Sequence, residues 1–297
     1  MAISFNGLGN AGRLGNQMFQ YAAIRGIAAN RGFDWMIPPE GADRCDNYGL
    51  FDGFKLTNCQ EKNQGEQPKQ MISWREFHFN EKIFNECPDN VDIDGYFQSE
   101  KYFKHISDEI RQDFTFKDEW LDPCKEFIES FNTDKLVFLH VRRGNPNLTG
   151  VRGERWSYQM LQQYHPLCKM DYYEEALKQF DDSYKVIVFS DVIDWCKKQP
   201  LFQGDKFHFS DNSKELFRDG ASIPYVDLCL MTLCSDAIIA NSSLSWWGAW
   251  LINNPNKKVI APKPWFGPAY DHYIMDDLIP DGWIELYNDP SEIAPEV

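Results

Sequence analysis

Short apolar runs recur along the chain: AISFNGL at 2–8, DWMIP at 34–38, KLVFLHV at 135–141, KVIVFS at 185–190, DAIIA at 236–240 and KVIAP at 258–262. Runs this brief, apolar with little alternation, predict strands covered on both faces, as in a parallel sheet. Between them the apolar positions shift to helical spacing. Met18, Phe19, Ala22, Ala23 and Ile27 share a face from near Asn16; Tyr102, Phe103, Ile106 and Ile110 do so from near Ser99. Ile223, Val226, Leu230 and Leu233 predict a third helix, and SSLSWWGAWLI, directly after DAIIA, a fourth. Strand and helix in alternation imply βαβ units. Two stretches break the pattern and read as irregular: 40–90, rich in Asn, Gln, Asp and Pro, and Asn145 to about Met170. No fixed-period repeat is present. The natural break is FNTD at 131–134, which predicts two α/β domains, 1–132 and 133–297, with a cleft between them.

Composition narrows the function. In 297 residues, 43% hydrophobic and 15% aromatic, there is ample material for packed cores. The 45 acidic against 30 basic residues, net −15, argue against general binding to nucleic acid or anionic membrane. No stretch approaches the roughly 18 apolar residues of a membrane span. The opening MAISFNGLGNAGRLGNQ has no cationic leader, which predicts a cytoplasmic protein. Eight cysteines lie scattered without zinc spacing, and in that compartment they read as reduced core thiols.

Against this acidic background HVRRGN at 140–145 stands out. Two arginines at the end of a buried strand are costly unless an anion meets them. Strand ends of this kind are where open α/β sheets bind ligands. Alternation puts His140 and Arg142 on one face and Arg143 on the other, so Arg142 is the candidate to meet a ligand and Arg143 to brace a loop. A structural Arg–Asp pair is the competing explanation.

Two further clusters carry possible chemistry. Gly7, Gly9, Gly12 and Gly15 fall between a strand and a helix, where backbone N–H groups can approach an anion or sugar, with Arg13, Asn16 and Gln17 alongside. Asn241, Ser242 and Ser243 open the Trp-rich helix; such hydroxyls either cap the helix or join its N–H groups in holding a phosphate. Trp246, Trp247 and Trp250 are expected to pack. Asp92-x-Asp94 has the spacing of a metal-holding pair on a sugar nucleotide, a short pattern common by chance. The G-x-S-x-G elbow and the P-loop are absent.

Taken in order, GRLGNQMFQYA at 12–22, DGYFQSEKYF at 94–103, HVRRGN at 140–145, VIVFSD at 186–191 and NSSLSWWGAWL at 241–251 resemble the α-1,2-fucosyltransferases, inverting enzymes that use GDP-fucose. The resemblance implies a GT-B-like fold: two Rossmann-like domains with mainly parallel sheets facing a central cleft, the second holding GDP-fucose and the first shaping the acceptor side. It implies Arg142 on the diphosphate, with His140, Arg143, Asp191, Asn241, Ser242, Ser243 and Leu244 completing the donor site. Arg13 and Asn16 would lie near the reacting sugar, and Gln17, Gln98 and Trp156 on the acceptor side, Trp265 being a second aromatic able to stack on a sugar. The implied reaction moves fucose to the 2-hydroxyl of a galactose-terminated glycan, with no cofactor besides the donor and no metal. Two positions depart from the family pattern: Asn145 and Val192 each stand where it has Asp. They leave open a different donor or linkage, or a glycan- or GDP-binding protein without turnover.

Overall fold

The structure, a computed structural model, describes residues 1–9, 12–39, 49–56, 70–143, 162–210 and 223–289. The chain forms two compact units, one of Met1–Asp118 with Tyr273–Pro280, the other of Glu119–His272 with the segment from Asp281 onward.

The first unit is built on a parallel sheet of β1 (Ala2–Ser4), β2 (Asp34–Met36), β3 (Gln70–Trp74) and β4 (Val91–Gly95), in the order β2-β1-β4-β3. Helix α1 (Leu14–Arg31) joins β1 to β2 and buries Met18, Phe19, Ala22, Ala23 and Ile27, the stripe read from the sequence. Each large apolar side chain so buried contributes about 1.5–3 kcal/mol. The helix stops at Gly32, whose left-handed conformation (φ 67°) turns its N–H back to the carbonyls of Ala28 and Ala29.

Two expectations fail here. The 40–90 stretch is not wholly irregular: it contains β3 and α2 (Glu81–Glu86), the latter capped by Asn80 Oδ1 accepting from the Ile83 N–H. The single helix expected from Ser99 is instead two 3-10 turns, Glu100–Tyr102 and Lys104–Ile106, followed by α3 (Ser107–Asp113). Phe103, at φ −134°, breaks the helical path while its ring packs on Phe19 of α1. Tyr102 Oη accepts the Asn80 N–H at 2.7 Å. Tertiary packing thus overrides the local period. The segment Tyr273–Pro280 is tied in through Asp277, which accepts the Phe79 N–H (3.0 Å) and pairs with Lys101.

The second unit, entered early in α4 (Asp118–Glu129), holds six parallel strands: β5 (Leu136–Val141), β6 (Lys185–Ser190), β7 (Phe207–Phe209), β8 (Asp236–Ile238), β9 (Val259–Lys263) and β10 (Ile284–Tyr287). Their order is β10-β9-β8-β5-β6-β7. The chain runs outward from β5 to β7 and then returns to the other side of β5, so the strand order reverses between β5 and β8. Helices α5 (Met170–Leu177), α6 (Pro224–Thr232) and α7 (Ser243–Leu251) complete the layers. Trp246, Trp247 and Trp250 are buried against one another, which gives them the packing role expected. Tyr172 and Tyr173 of α5 pin the sheet, donating to the carbonyls of Ile239 (2.7 Å) and His140 (3.1 Å). The six described cysteines are buried free thiols. The α/β class with parallel sheets is therefore the observed one. Among the described residues no helix is long and apolar enough to cross a membrane.

Candidate active site

The reversal point between β5 and β8 is where a parallel sheet offers a ligand crevice at its C-terminal strand ends. The β5–β8 pairing runs to Leu139↔Ile238, and Arg142 and Asn241 each follow that last pair by three residues.

The two arginines divide their work. Arg143 is buried (2% exposed), its guanidinium lying 4.0 Å from the centroid of Trp195. Its backbone N–H donates to Asp191 Oδ1 at 3.0 Å, and Asp191 follows β6 directly. Arg142 is only half-buried. A desolvated cation–π contact is worth about 2 kcal/mol, so Arg143 has a structural outlet for its charge. His140 is buried, and its Nδ1 has no hydrogen-bond partner among the described residues. Burial pushes its pKa down to about 4, with Arg142 adding to the fall and Asp191 opposing it. The imidazole is neutral at pH 7, which leaves the arginines as the cations of the strand end.

Beside them, Ser242 occupies the N-cap of α7 in extended conformation, yet its hydroxyl makes no capping bond. Its N–H donates to Ala240 O at 2.7 Å, and its carbonyl accepts from Trp246 N–H at 2.9 Å. Helix starts orphan their first N–H groups; with no side-chain cap, those of Ser243 and Leu244 remain suited to an anion. Ordinary Ser capping, the competing explanation, is not what the hydroxyl does. Asn241 is buried and binds elsewhere, its amide donating to Pro166 O (2.7 Å) and Trp265 O (3.1 Å). Trp265 is itself buried, so its ring serves packing.

In the first unit the glycine-rich turn is read by contact. Gly12 has φ +85°, and a Cβ there would stand 1.8 Å from Asn16 Nδ2. Only glycine accommodates both. Arg13, exposed, is the N-cap of α1, and its carbonyl accepts the N–H groups of Asn16 (2.9 Å) and Gln17 (3.0 Å). Asn16 Oδ1 accepts from Gln98 Nε2 at 2.7 Å, so these two side chains form one element; Gln17 is fully buried. Gln20, which sequence reasoning passed over, bridges the Gly9 N–H and the Gly95 carbonyl, each at 3.2 Å, and so fixes the turn against β4.

Both carboxylates of Asp92-x-Asp94 are engaged by protein donors. Asp92 Oδ1 accepts from Ser4 Oγ (2.9 Å) and the Asn6 N–H (2.8 Å); Asp94 pairs with Arg75 and accepts from Ser73 Oγ (3.1 Å). Trp156 and Asn145 lie outside the described residues. Val192 sits before the single helical turn Ile193–Cys196, its carbonyl accepting the N–H groups of Trp195 (3.0 Å) and Cys196 (3.2 Å). The sequence reading missed Trp195, which stacks on Arg143 and carries a faint signal four residues after Asp191, and His165, which carries none.

The two-unit α/β chain with parallel sheets thus carries an arginine strand end and an uncapped helix start, groups chemically suited to an anion. The sequence profile of glycosyl transferase family 11 matches residues 3–285, and the chain belongs to that family. It is 30% identical over 303 residues to an alpha-1,2-colitosyltransferase of Escherichia coli, covering 93% of this chain and 97% of the relative. With galactoside alpha-(1,2)-fucosyltransferase 2 of Sus scrofa it shares 26% identity over 258 residues, 81% of this chain and 67% of that protein. Among solved structures, POFUT1 in complex with GDP-fucose superposes with a TM-score of 0.52 at 12% identity, covering 88% of this chain and 97% of that one. That likeness concerns the fold alone.

Proposed function

We propose that this glycosyltransferase moves fucose from GDP-fucose, with inversion, to the 2-hydroxyl of a galactose-terminated glycan. The observation that carries the reading is Arg142, half-buried three residues beyond the last β5–β8 pair, with the uncapped start of α7 following the same end of β8, while its neighbour Arg143 is held inward by Asp191 and Trp195. The family membership and the names of the relatives support the sugar and the linkage.

In the proposed reaction the bond between the anomeric carbon and a diphosphate oxygen breaks as the acceptor oxygen bonds from the opposite face. Negative charge grows on the departing GDP, and the acceptor hydroxyl releases its proton to solvent. Arg142 and the N–H groups of Ser243 and Leu244 receive the charge, with Ser242 beside them; preorganised donors of this kind gain strength away from water. Asp191 positions Arg143, and His140 and Asn241 hold the strand ends. In the first unit this reading gives Arg13 and Asn16 to the transferred sugar, and Gln17, Gln98 and Trp156 to the acceptor. The charge balance needs no cofactor and no divalent ion, and the engagement of Asp92 and Asp94 by Ser4, Asn6, Ser73 and Arg75 fits that account.

A second donor is favoured by one observation, the colitosyltransferase relative at 30% identity. Incubation of the protein with lactose and GDP-fucose or GDP-colitose, followed by linkage analysis, decides between them. A fucosylated product with a 1,2 linkage is expected. A thermal shift with GDP but no product from either donor would reduce the protein to a binding module.

A further inference from the structure

The segment 162–169 is tied across the C-terminal ends of three neighbouring strands. Pro166 O accepts from Asn241, which follows β8, and the Gly267 N–H, beyond β9, donates to Tyr164 O at 3.1 Å. Asn288, next after β10, accepts the Lys169 N–H (2.9 Å) and donates to Leu167 O (3.2 Å). The fit at Gly267 is close: a Cβ there would lie 2.4 Å from Gln163 O and 2.5 Å from Gln162 O. The strap is thus built into the edge that carries Arg142 and Ser242.

At its middle stands His165, half-buried, its ring 5.4 Å from that of Phe266 and 6.2 Å from that of Tyr270. Burial and the nearby Arg142 guanidinium hold its pKa down to about 4. Among the described residues, the charged and titratable groups around it are Arg142 from the end of β5, Tyr270 from the turn after β9, and Tyr164 on the strap itself, which packs on Tyr270 at 5.2 Å. His140 and Asp191 lie behind Arg142. Among the described residues the charge that weighs on it is positive, that of Arg142, so an anion arriving there favours imidazolium.

We propose that His165 is a further diphosphate-binding residue of the donor site, resting on the reading of a GDP-linked donor given above. A diphosphate against Arg142 offsets the guanidinium and supplies an acceptor, so the imidazole takes a proton from solvent and donates an N–H to a phosphate oxygen. Donor binding is then coupled to proton uptake, and its affinity rises as pH falls.

Calorimetric titration of GDP-fucose without acceptor, in buffers of differing ionisation enthalpy between pH 5.5 and 8, reads this directly, because the donor's diphosphate diester does not titrate there. The wild type is expected to take up protons and bind more tightly at the acid end. H165Q is expected to lose that uptake and to bind about twofold more weakly near pH 6 and about fourfold more weakly at pH 5.5, the linkage given by a midpoint that rises about two units from about 4 on binding. H165N serves as a second variant, with melting curves reporting the fold. Histidine NMR titration of the unmodified protein keeps the test independent of both: one midpoint is expected to climb by about two units with donor bound, as an adjacent anion requires. Equal affinity and proton uptake in wild type and H165Q, or no histidine midpoint moving, overturns the proposal. Failure of the wild type to bind GDP-fucose at all overturns the donor reading as well.

Discussion

Removing each arginine of the pair in turn should give two different defects. Arg142→Ala takes away a half-buried cation. Its loss is expected to lower kcat by about 10²–10³, equivalent to about 2.7–4 kcal/mol of transition-state stabilisation, with little change in Tm. Arg142→Lys keeps the charge but not the planar fork and should fall between the two. Arg143→Ala removes a 2% exposed side chain stacked 4.0 Å over Trp195. A desolvated cation–π contact of about 2 kcal/mol, together with the cavity left by the stem, predicts a loss of roughly 2–4 kcal/mol. For a unit of this size each kcal/mol moves Tm by about 2–4 °C, so a fall of roughly 5–15 °C is expected. Initial rates of GDP release with lactose as acceptor, beside melting curves for each variant, check both halves. The division of labour is refuted by an Arg142→Ala enzyme turning over within about threefold of wild type. It is equally refuted by an Arg143→Ala protein that melts normally while losing turnover.

Three other outcomes are expected. Burial raises the Asp227 carboxyl to about 7, the Ser210 hydroxyl at 3.2 Å only partly opposing it; the folded state therefore holds a proton that the unfolded chain releases near pH 4, and stability falls between about pH 4 and about pH 7. The Tm advantage of Asp227→Asn over wild type should grow across that window, and a constant difference would falsify the assignment. Gly12→Ala places a Cβ against Asn16 at φ +85° and should cost at least about 1–2 kcal/mol and weaken the Asn16–Gln98 pair, seen as a lowered Tm and raised KM for acceptor; a silent variant removes that turn from the site. Assays in EDTA should retain full rate, whereas loss restored by a divalent ion would contradict charge neutralisation by Arg142 and α7 alone.

The parts of this fold that were legible are those where local pattern and tertiary role agree. Strands β5, β6 and β8 are covered on both faces, so their apolar runs needed no context. Strand β3 was hidden because it is an outer strand none of whose five residues is fully buried, Met71 being 64% exposed, whereas β2 at the other edge buries Trp35. Strand β4 was hidden by Asp92 and Asp94, whose carboxylates become acceptable only once Ser4, Asn6 and Arg75 are in place. The residues 99–110 had a helical period but spend Tyr102 and Phe103 on contacts that a continuous helix forbids. At the candidate site, the arginines and the serines stood out because they follow readable strands, whereas Asp191 entered only through the family resemblance. His165 did not stand out, since a histidine in a stretch without period acquires meaning only when Asn241, Gly267 and Asn288 draw that stretch over the strand ends.

Val192 shows how much of a family pattern a single side chain carries. An aspartate at that position would bring a second carboxylate next to Asp191. Here the backbone does the local work: the Val192 N–H donates to Ser190 Oγ at 3.0 Å, and its carbonyl starts the turn Ile193–Cys196. That turn delivers Trp195 to the face of Arg143, while Asp191 alone takes the Arg143 N–H. The bracing of Arg143 therefore survives without the second acid, and what the valine removes is one negative charge beside Asp191. Restoring it tests the point: Val192→Asp should leave Tm near that of wild type. If its carboxylate lies within reach of the diphosphate, donor affinity falls several-fold at low salt and recovers partly as ionic strength screens the repulsion. A variant that binds GDP-fucose as tightly as wild type at low salt places position 192 away from the phosphates, and its departure from the family pattern then has no bearing on the donor.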